Sequence, residues 1–185
     1  MTDPTESIFA QGLAYEGALP VEWRPRSEPY TPTELEQLNV ANERILRLLT
    51  ALEEQHHPEL LDEHGTGHEL ARVELKVNLL LDLVSQLLVR QQTLPPATAI
   101  RLNGLGVQWR QPAGTPAPGG TGEVVIYLNP ELPSPLRLPA VIHAAAEQVE
   151  AHFQGLSDAL VDVLEKMIFR HHRRQVAQSR PSRDG

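Results

Sequence analysis

The sequence predicts an α+β protein in which long helices precede a small domain of short strands and a final helix. In the first half of the chain, two heptad patterns follow each other. Their apolar steps of three and four place residues on one seam of a helix, the spacing that lets helices wind around each other. From Ala97 the chain changes to short apolar runs separated by turn residues, which favours a small β-barrel or sandwich.

Charge and composition narrow the functional classes. The 185 residues include 16 basic and 24 acidic side chains, a formal charge of -8 that argues against general affinity for nucleic acid or anionic membranes. The absence of cysteine excludes disulfides, thiolate zinc sites and thiol nucleophiles. No signal-peptide pattern opens the chain, and no apolar stretch is long enough to span a bilayer. We therefore expect a cytoplasmic protein without membrane insertion.

The first helix has a strong start signal. Thr31 is placed as the N-cap, Pro32 at the first helical position and Glu34 at N3, where it closes a capping box. We predict a helix over about 32–54 that ends before Pro58. Its heptad seam consists of Leu35, Leu38, Asn42, Ile45, Leu49 and Leu52.

Asn42 is a polar residue at an a position of this seam. It fits a buried, register-setting pair between helices or, equally, a partly solvated position.

A second helix is predicted over about 68–92. Gly65 and Gly67 break the chain before it, and Pro95 and Pro96 end it. Its seam consists of Leu70, Val73, Val77, Leu80, Val84 and Leu87.

Both helices are apolar on more than the seam, as Leu75 and Leu79 show for the second one. A two-stranded coil would leave such residues in water, so we predict an intermolecular coiled-coil bundle of at least about four helices, built from a long helical hairpin. We favour a homotetramer over a dimer. The alternative is a monomer in which two ordinary helices pack on a neighbouring domain.

The second half of the chain predicts strands and one helix. Ser157 can cap that helix, and the basic end at 170–174 complements the negative pole of the helix. We interpret the Pro/Gly-rich segment 112–122 as a long hairpin connection. Strands are predicted over 97–103, 106–111, 123–128, 135–144 and 146–153.

Several of these segments resemble the PilZ domain of bacterial signalling proteins. They are the strand pair 100–107, the ending 153–157 followed by Leu160, Leu164 and Ile168, and Leu19–Trp23, which looks like that domain's first strand. The resemblance implies a six-stranded barrel with a C-terminal helix. It implies a domain over 14–178, with strands from 14–28 and 97–153 and a helix at 157–175. A helical oligomerisation insertion at 31–94 interrupts this domain, and 179–185 is expected to be a disordered tail.

Many proteins of the family that this chain resembles are receptors for cyclic di-GMP. They hold it with an RxxxR segment and a [D/N]xSxxG strand-turn, because paired guanidinium groups grip phosphates and guanine edges. Alignment of the final glycine on Gly106 places Arg101 where the family has Asp or Asn, and Asn103 where it has Ser.

The basic residues near the first strand, Arg24 and Arg26, lack the RxxxR spacing. Arg170 and Arg174 have that spacing but lie on the last helix, where we expect a solvated basic end. The resemblance thus implies a degenerate nucleotide site, and we expect no cyclic di-GMP binding in the family's usual way. Its residues are Arg24, Arg26, Arg101, Asn103 and Gly106.

Other chemistry is sparse. His56, His57, His64 and His68 could supply ligands to zinc or nickel. We favour a polar helix connection instead, because two glycines separate these residues, and we expect no metal site. We interpret His143 as a satisfied histidine among aliphatic residues near a strand. No serine lies in a nucleophile-elbow context, so we predict no catalytic site.

Two functional hypotheses follow. The first is a non-enzymatic PilZ-like adaptor assembled by its helices, whose protein partners, by resemblance, would belong to pilus-driven motility, biofilm or virulence regulation. The second is a genuine cyclic di-GMP receptor that uses an atypical site with Arg24, Arg26 and Arg101. A coiled-coil structural protein with an unrelated β-domain is a third alternative.

Overall fold

The structure, a computed structural model, describes residues 8–9, 12–55, 77, 94–110, 116–129, 134–145 and 148–178. Six strands and two helices have defined bounds: β1 (Tyr15–Pro25), α1 (Pro32–Gln55), β2 (Ala97–Leu102), β3 (Gly106–Trp109), β4 (Thr121–Ile126), β5 (Leu136–Ala145), β6 (Val149–Phe153) and α2 (Asp158–Gln178). The strands close into an antiparallel barrel in the order β1-β2-β3-β6-β5-β4. The predicted α+β class and six-stranded barrel with a C-terminal helix are confirmed.

β1 closes the barrel because it pairs with two neighbours in succession. Its residues Tyr15–Pro20 pair with β2, and Val21–Pro25 pair with β4. β3 pairs with β2 and β6, so β3 and β4 are not neighbours. The prediction that 112–122 joins a hairpin was therefore wrong: composition marks a loop there, but the pairing of β3 depends on β6, about 40 residues further along the chain.

The barrel interior is aliphatic and follows the alternation of the strands. Side chains at every second position point inward, as expected for a period of two. Each fully buried aliphatic side chain contributes about 1.5–3 kcal/mol. The interior residues include Ile100, Leu102, Val107, Trp109, Val124, Ile126, Leu136, Leu138, Ile142, Val149 and Ala151.

α1 begins with the predicted capping box. The Thr31 backbone N donates to Glu34 Oε2 at 2.8 Å, and the Glu34 N donates to Thr31 Oγ1 at 3.3 Å. Arg26 adds an ion pair with Glu34 at 2.8 Å and lies over the Tyr30 ring. The Thr31 N–H bond first, and the Arg26 bond second, lower the pKa of Glu34 to about 2.

Asn42 docks α1 on the barrel. Its side chain is 1% exposed, its Nδ2 donates to the Arg137 carbonyl at 2.8 Å, and the Arg137 N donates to Asn42 Oδ1 at 2.9 Å. Leu46 and Leu49 are buried on the same helix. The predicted burial of Asn42 is confirmed, and the alternative of a partly solvated position was wrong. Its partner is the backbone of β5, 95 residues away, which heptad spacing does not reveal.

Most of the second heptad pattern lies outside the described residues. Val77 is described, is helical and is 48% exposed. The coiled-coil bundle therefore stays a prediction. The side chains of Leu52, Leu70, Val73, Leu80, Val84 and Leu87, the histidines at 56, 57, 64 and 68, and the tail 179–185 lie outside the description. Among described residues, no helix is long and apolar enough to cross a membrane.

α2 begins at the predicted cap, since the Leu160 N donates to Ser157 Oγ at 3.1 Å. Leu160, Leu164 and Ile168 are buried against α1 and the barrel. Further along, the His171 ring lies 4.2 Å from the Tyr15 ring. α2 thus runs from α1 to the start of β1 and covers that end of the barrel.

The lowered pKa of Glu34 predicts an acid-dependent stability. A carboxylate whose pKa falls from 4.5 to about 2 on folding stabilises the fold fully above pH 4.5, and this contribution is lost as the pH falls towards 2. We expect Glu34→Gln to flatten the stability profile between these values, measured by urea unfolding. Arg26→Gln leaves the stronger Thr31 bond and should keep most of the slope. An unchanged slope in Glu34→Gln would contradict the role of the capping box.

Replacement of Asn42 tests the docking of α1. Asn42→Ala removes both bonds to the partly buried Arg137 backbone, which should lower the free energy of unfolding by about 2–4 kcal/mol. Asn39→Ala is the matched control: it removes one exposed bond to the Gly155 carbonyl and should cost at most about 1.5 kcal/mol. Equal losses for the two variants in urea unfolding would refute the assignment.

Candidate functional site

The candidate site is the turn between β2 and β3, which Asn103 organises. Its backbone N donates to the Gly106 carbonyl at 3.0 Å. Its side-chain Oδ1 accepts from both the Leu105 N and the Gly106 N, each at 2.9 Å. Asparagine is suited to this turn because its side chain reaches backbone groups two and three residues on.

The N-terminal residues Ile8 and Phe9 lie directly on this turn. Asn103 Nδ2 donates to the Ile8 carbonyl at 3.0 Å, and the Arg101 guanidinium lies 5.2 Å from the centre of the Phe9 ring. Phe9 is 6% exposed. Gly106 allows this close approach, because a Cβ there would collide with Ile8 Cδ1 and with the carbonyl oxygen of Ala151.

A cleft of about 380 Å³ opens beside the turn, between it and α2. Its walls include the exposed apolar side chains of Leu13, Leu105 and Phe169 together with the carboxylate of Glu165. α2 therefore forms one wall of the candidate site.

The structure brings together three of the five predicted nucleotide-site residues. Arg101, Asn103 and Gly106 lie at the turn, and Arg101 pairs with Glu16 on the neighbouring strand β1. Arg24 pairs with β4 instead, eight residues further along β1, which corresponds to about 26 Å of strand. Arg24 and Arg26 therefore lie near the other end of β1.

All three arginines already have carboxylate partners. Arg24 pairs with Glu22 at 2.8 Å, Arg26 with Glu34 at 2.8 Å and Arg101 with Glu16 at 2.9 Å. A phosphate would have to compete with these charge-assisted bonds. Sequence reasoning missed Glu16 and Phe9 as partners of Arg101. It also missed the pair of Glu22 and Arg24, for which the spacing of i and i+2 on one face of a strand was a usable signal.

A second surface is the outward groove of α1. It has a volume of about 750 Å³. Val40 is 62% exposed and Leu48 48% exposed, and both line this one groove, so they form an apolar patch on the outer face of the helix. Ile45 is a predicted seam residue that lines it. The complete lining is Glu36, Gln37, Val40, Ala41, Arg44, Ile45, Leu48 and Ser134.

The described residues hold no group of three or more side chains able to bind a metal ion. His143 is exposed, and its ring stacks on that of His152 with centres 4.4 Å apart. His152 Nε2 also lies 2.9 Å from the buried carboxylate of Glu150. The prediction that His143 is a satisfied histidine near a strand is confirmed, since it lies on β5 and stacks on His152. Its predicted aliphatic surroundings were wrong, because pairing of β5 with β6 brings another histidine beside it.

Comparison with known proteins agrees with this fold. A family model described as "Atypical PilZ domain, cyclic di-GMP receptor" matches residues 46–181. A solved structure is similar to the chain with a TM-score of 0.75 and 27% identity, over 91% of this chain and 93% of the other. It is a pathogenic protein from Xanthomonas campestris, described as a new tetrameric PilZ domain self-assembled via an unusual helical bundle. No curated protein matches.

Proposed function

The chain belongs to the atypical PilZ domain family, and from this premise we propose that it is a non-enzymatic, cytoplasmic signalling adaptor. It self-assembles through its helices, with a tetramer favoured over a dimer. It does not bind cyclic di-GMP in the family's usual way. PilZ domains are receptor or adaptor domains, and the proposed role is that of an adaptor.

The observation that carries the assembly proposal is the exposed apolar groove of α1. Asn42 turns one face of the helix to the barrel, and the opposite face leaves Val40 and Leu48 in solvent. Such side chains favour a helical partner, and the second heptad pattern, with Leu80 and Val84 on its seam, is a partner of matching chemistry within the same chain or a second copy. The similar Xanthomonas protein is itself a tetramer built on a helical bundle.

The ion pairs of the arginines support the absence of family-type binding. Arg24 and Arg26 lie near one end of β1 and Arg101 near the other, so they are not arranged to grip one ligand. Each would also have to exchange a carboxylate for a phosphate, which gains little when both bonds are charge-assisted.

Protein partners would belong to pilus-driven motility, biofilm or virulence regulation. This part of the proposal rests on the family resemblance and on the description of the similar protein as pathogenic. The second candidate, an atypical cyclic di-GMP receptor, is favoured by the description of the family model as a receptor for that nucleotide.

Substitutions in the second heptad seam and in the outward groove of α1 test assembly. Leu80→Glu with Val84→Glu, and separately Val40→Glu with Leu48→Glu, should each reduce the mass measured by light scattering from four chains to fewer. Each substitution loses about 1.5–3 kcal/mol of apolar burial and adds a charge that an apolar interface does not satisfy. Val176→Glu, at an exposed position of α2, is the control and should keep the wild-type mass. An unchanged mass in both double variants would overturn the helical assembly.

Calorimetric titration with cyclic di-GMP separates the two candidate functions. For the wild-type chain we expect a dissociation constant weaker than about 1 mM, which corresponds to a binding free energy smaller in magnitude than about 4 kcal/mol. Stoichiometric micromolar binding would establish the receptor instead. In that case Arg101→Ala, Arg24→Ala and Arg26→Ala would locate the site, with Arg110→Ala, at an exposed position directly after β3, as the control.

A further inference from the structure

Ile8 and Phe9 contact two side-chain groups of the candidate site, a guanidinium and an amide. Groups of these two kinds bind ligands in many proteins. The Phe9 ring lies under the guanidinium of Arg101, and the Ile8 carbonyl accepts from the side-chain amide of Asn103. The Ile8 side chain reaches the space that Gly106 leaves free. One short segment therefore uses the face of Arg101, the amide of Asn103 and the open space of Gly106 together.

These contacts combine an aromatic face with a carbonyl acceptor. A purine base with an exocyclic carbonyl presents the same two features: a flat π-surface for a guanidinium and an oxygen for an amide N–H. The segment is thus a peptide counterpart of a planar base at this turn.

We propose that Ile8–Phe9 is a built-in ligand of the β2–β3 turn, which closes in cis a site for a planar guanine-type base between Arg101 and Asn103. This inference rests on the proposed function, because it names what prevents nucleotide binding at that turn. The occupant is a described segment of the same chain, and it is buried there, with Phe9 6% exposed.

Tethering makes such an occupant effective. Phe9 precedes β1 by only a few residues, and β1 itself borders the turn through its pairing with β2. A short tether gives an effective concentration in the millimolar range, so a weak contact is sufficient to stay occupied. The apparent affinity of a competing ligand is then reduced by the fraction of time that the site is open.

The turn keeps its shape when the segment leaves. Asn103 Oδ1 binds the Leu105 and Gly106 N–H groups, whereas the contact with Ile8 uses only Nδ2. Release of Ile8 therefore frees one amide donor and the face of Arg101 without removing the bonds that form the turn.

Phe9→Ala in the 185-residue chain tests this inference, with Val176→Ala as the control. Val176 is an apolar residue of α2 that is 42% exposed and does not line the cleft. Titration with cyclic di-GMP should show affinity at least about tenfold higher for Phe9→Ala than for the wild type, because the open fraction rises. Val176→Ala should remain like the wild type. Adding Arg101→Gln to Phe9→Ala should remove the gain.

Amide hydrogen exchange distinguishes release of a ligand from damage to the turn. The N–H groups of Leu105 and Gly106 should keep their protection in Phe9→Ala, since Asn103 still holds them. Phe9→Leu, which keeps apolar volume but lacks the ring, should give an intermediate affinity and remains informative if Phe9→Ala folds poorly.

Two results would overturn the inference. One is equal cyclic di-GMP affinity in the wild type, Phe9→Ala and Phe9→Leu, and the other is loss of protection at Leu105 and Gly106 in Phe9→Ala. Failure of the proposed function would give a different result, because the wild type itself would then bind cyclic di-GMP tightly. A wild type without binding whose variants also fail to bind refutes only the built-in ligand.

Discussion

The pairing of Asn42 with the backbone of Arg137 is the constraint that decides which face of α1 is buried and which is available for assembly. It fixes the rotation of α1 about its axis, since both groups of one side chain bind the N–H and carbonyl of one residue. With that rotation set, Leu46 and Leu49 enter the core and Val40 and Leu48 remain outside. The same sequence, rotated by one position of the heptad, would bury a different set. The surface available for assembly is thus a consequence of one buried asparagine.

The charges of the barrel follow a second constraint. A chain of net charge -8 can supply a carboxylate to each of the three arginines that were predicted for the nucleotide site. Glu16 and Glu22 do so from β1 itself, and Glu34 does so from the first turn of α1. These pairs are partly exposed and individually contribute little to stability. Their consequence is geometric: they orient the guanidinium groups towards neighbours in the same chain.

Local signals made most of the fold predictable. The start of α1 was predictable because Thr31 and Glu34 satisfy each other's backbone N–H groups without help from distant residues. Ser157 made the start of α2 predictable for the same reason. Strand positions followed from alternation of apolar residues, and the closure of six strands came from the family resemblance.

Non-local partners were the part that the sequence did not reveal. The partner of Asn42 is 95 residues away, as is the Ile8 carbonyl that binds Asn103. No periodicity links such pairs, because their proximity exists only after the barrel has closed. The connection between β3 and β4 was misread for this reason too. At the candidate site, residue types around Gly106 were predictable by alignment, whereas the occupation of the turn by Phe9 was not.

The two asparagines show how one side chain serves different purposes. Asn42 is 1% exposed and binds a single backbone partner with both of its side-chain groups, so loss of this contact would leave two partly buried backbone groups without their partner, at a combined cost of about 2–4 kcal/mol. Asn103 divides its groups: Oδ1 holds its own turn and Nδ2 holds a distant segment. Release of that segment leaves one donor beside an open cleft, where water can replace the lost acceptor. Release of α1 from the barrel would therefore cost more free energy than release of Ile8 from the turn.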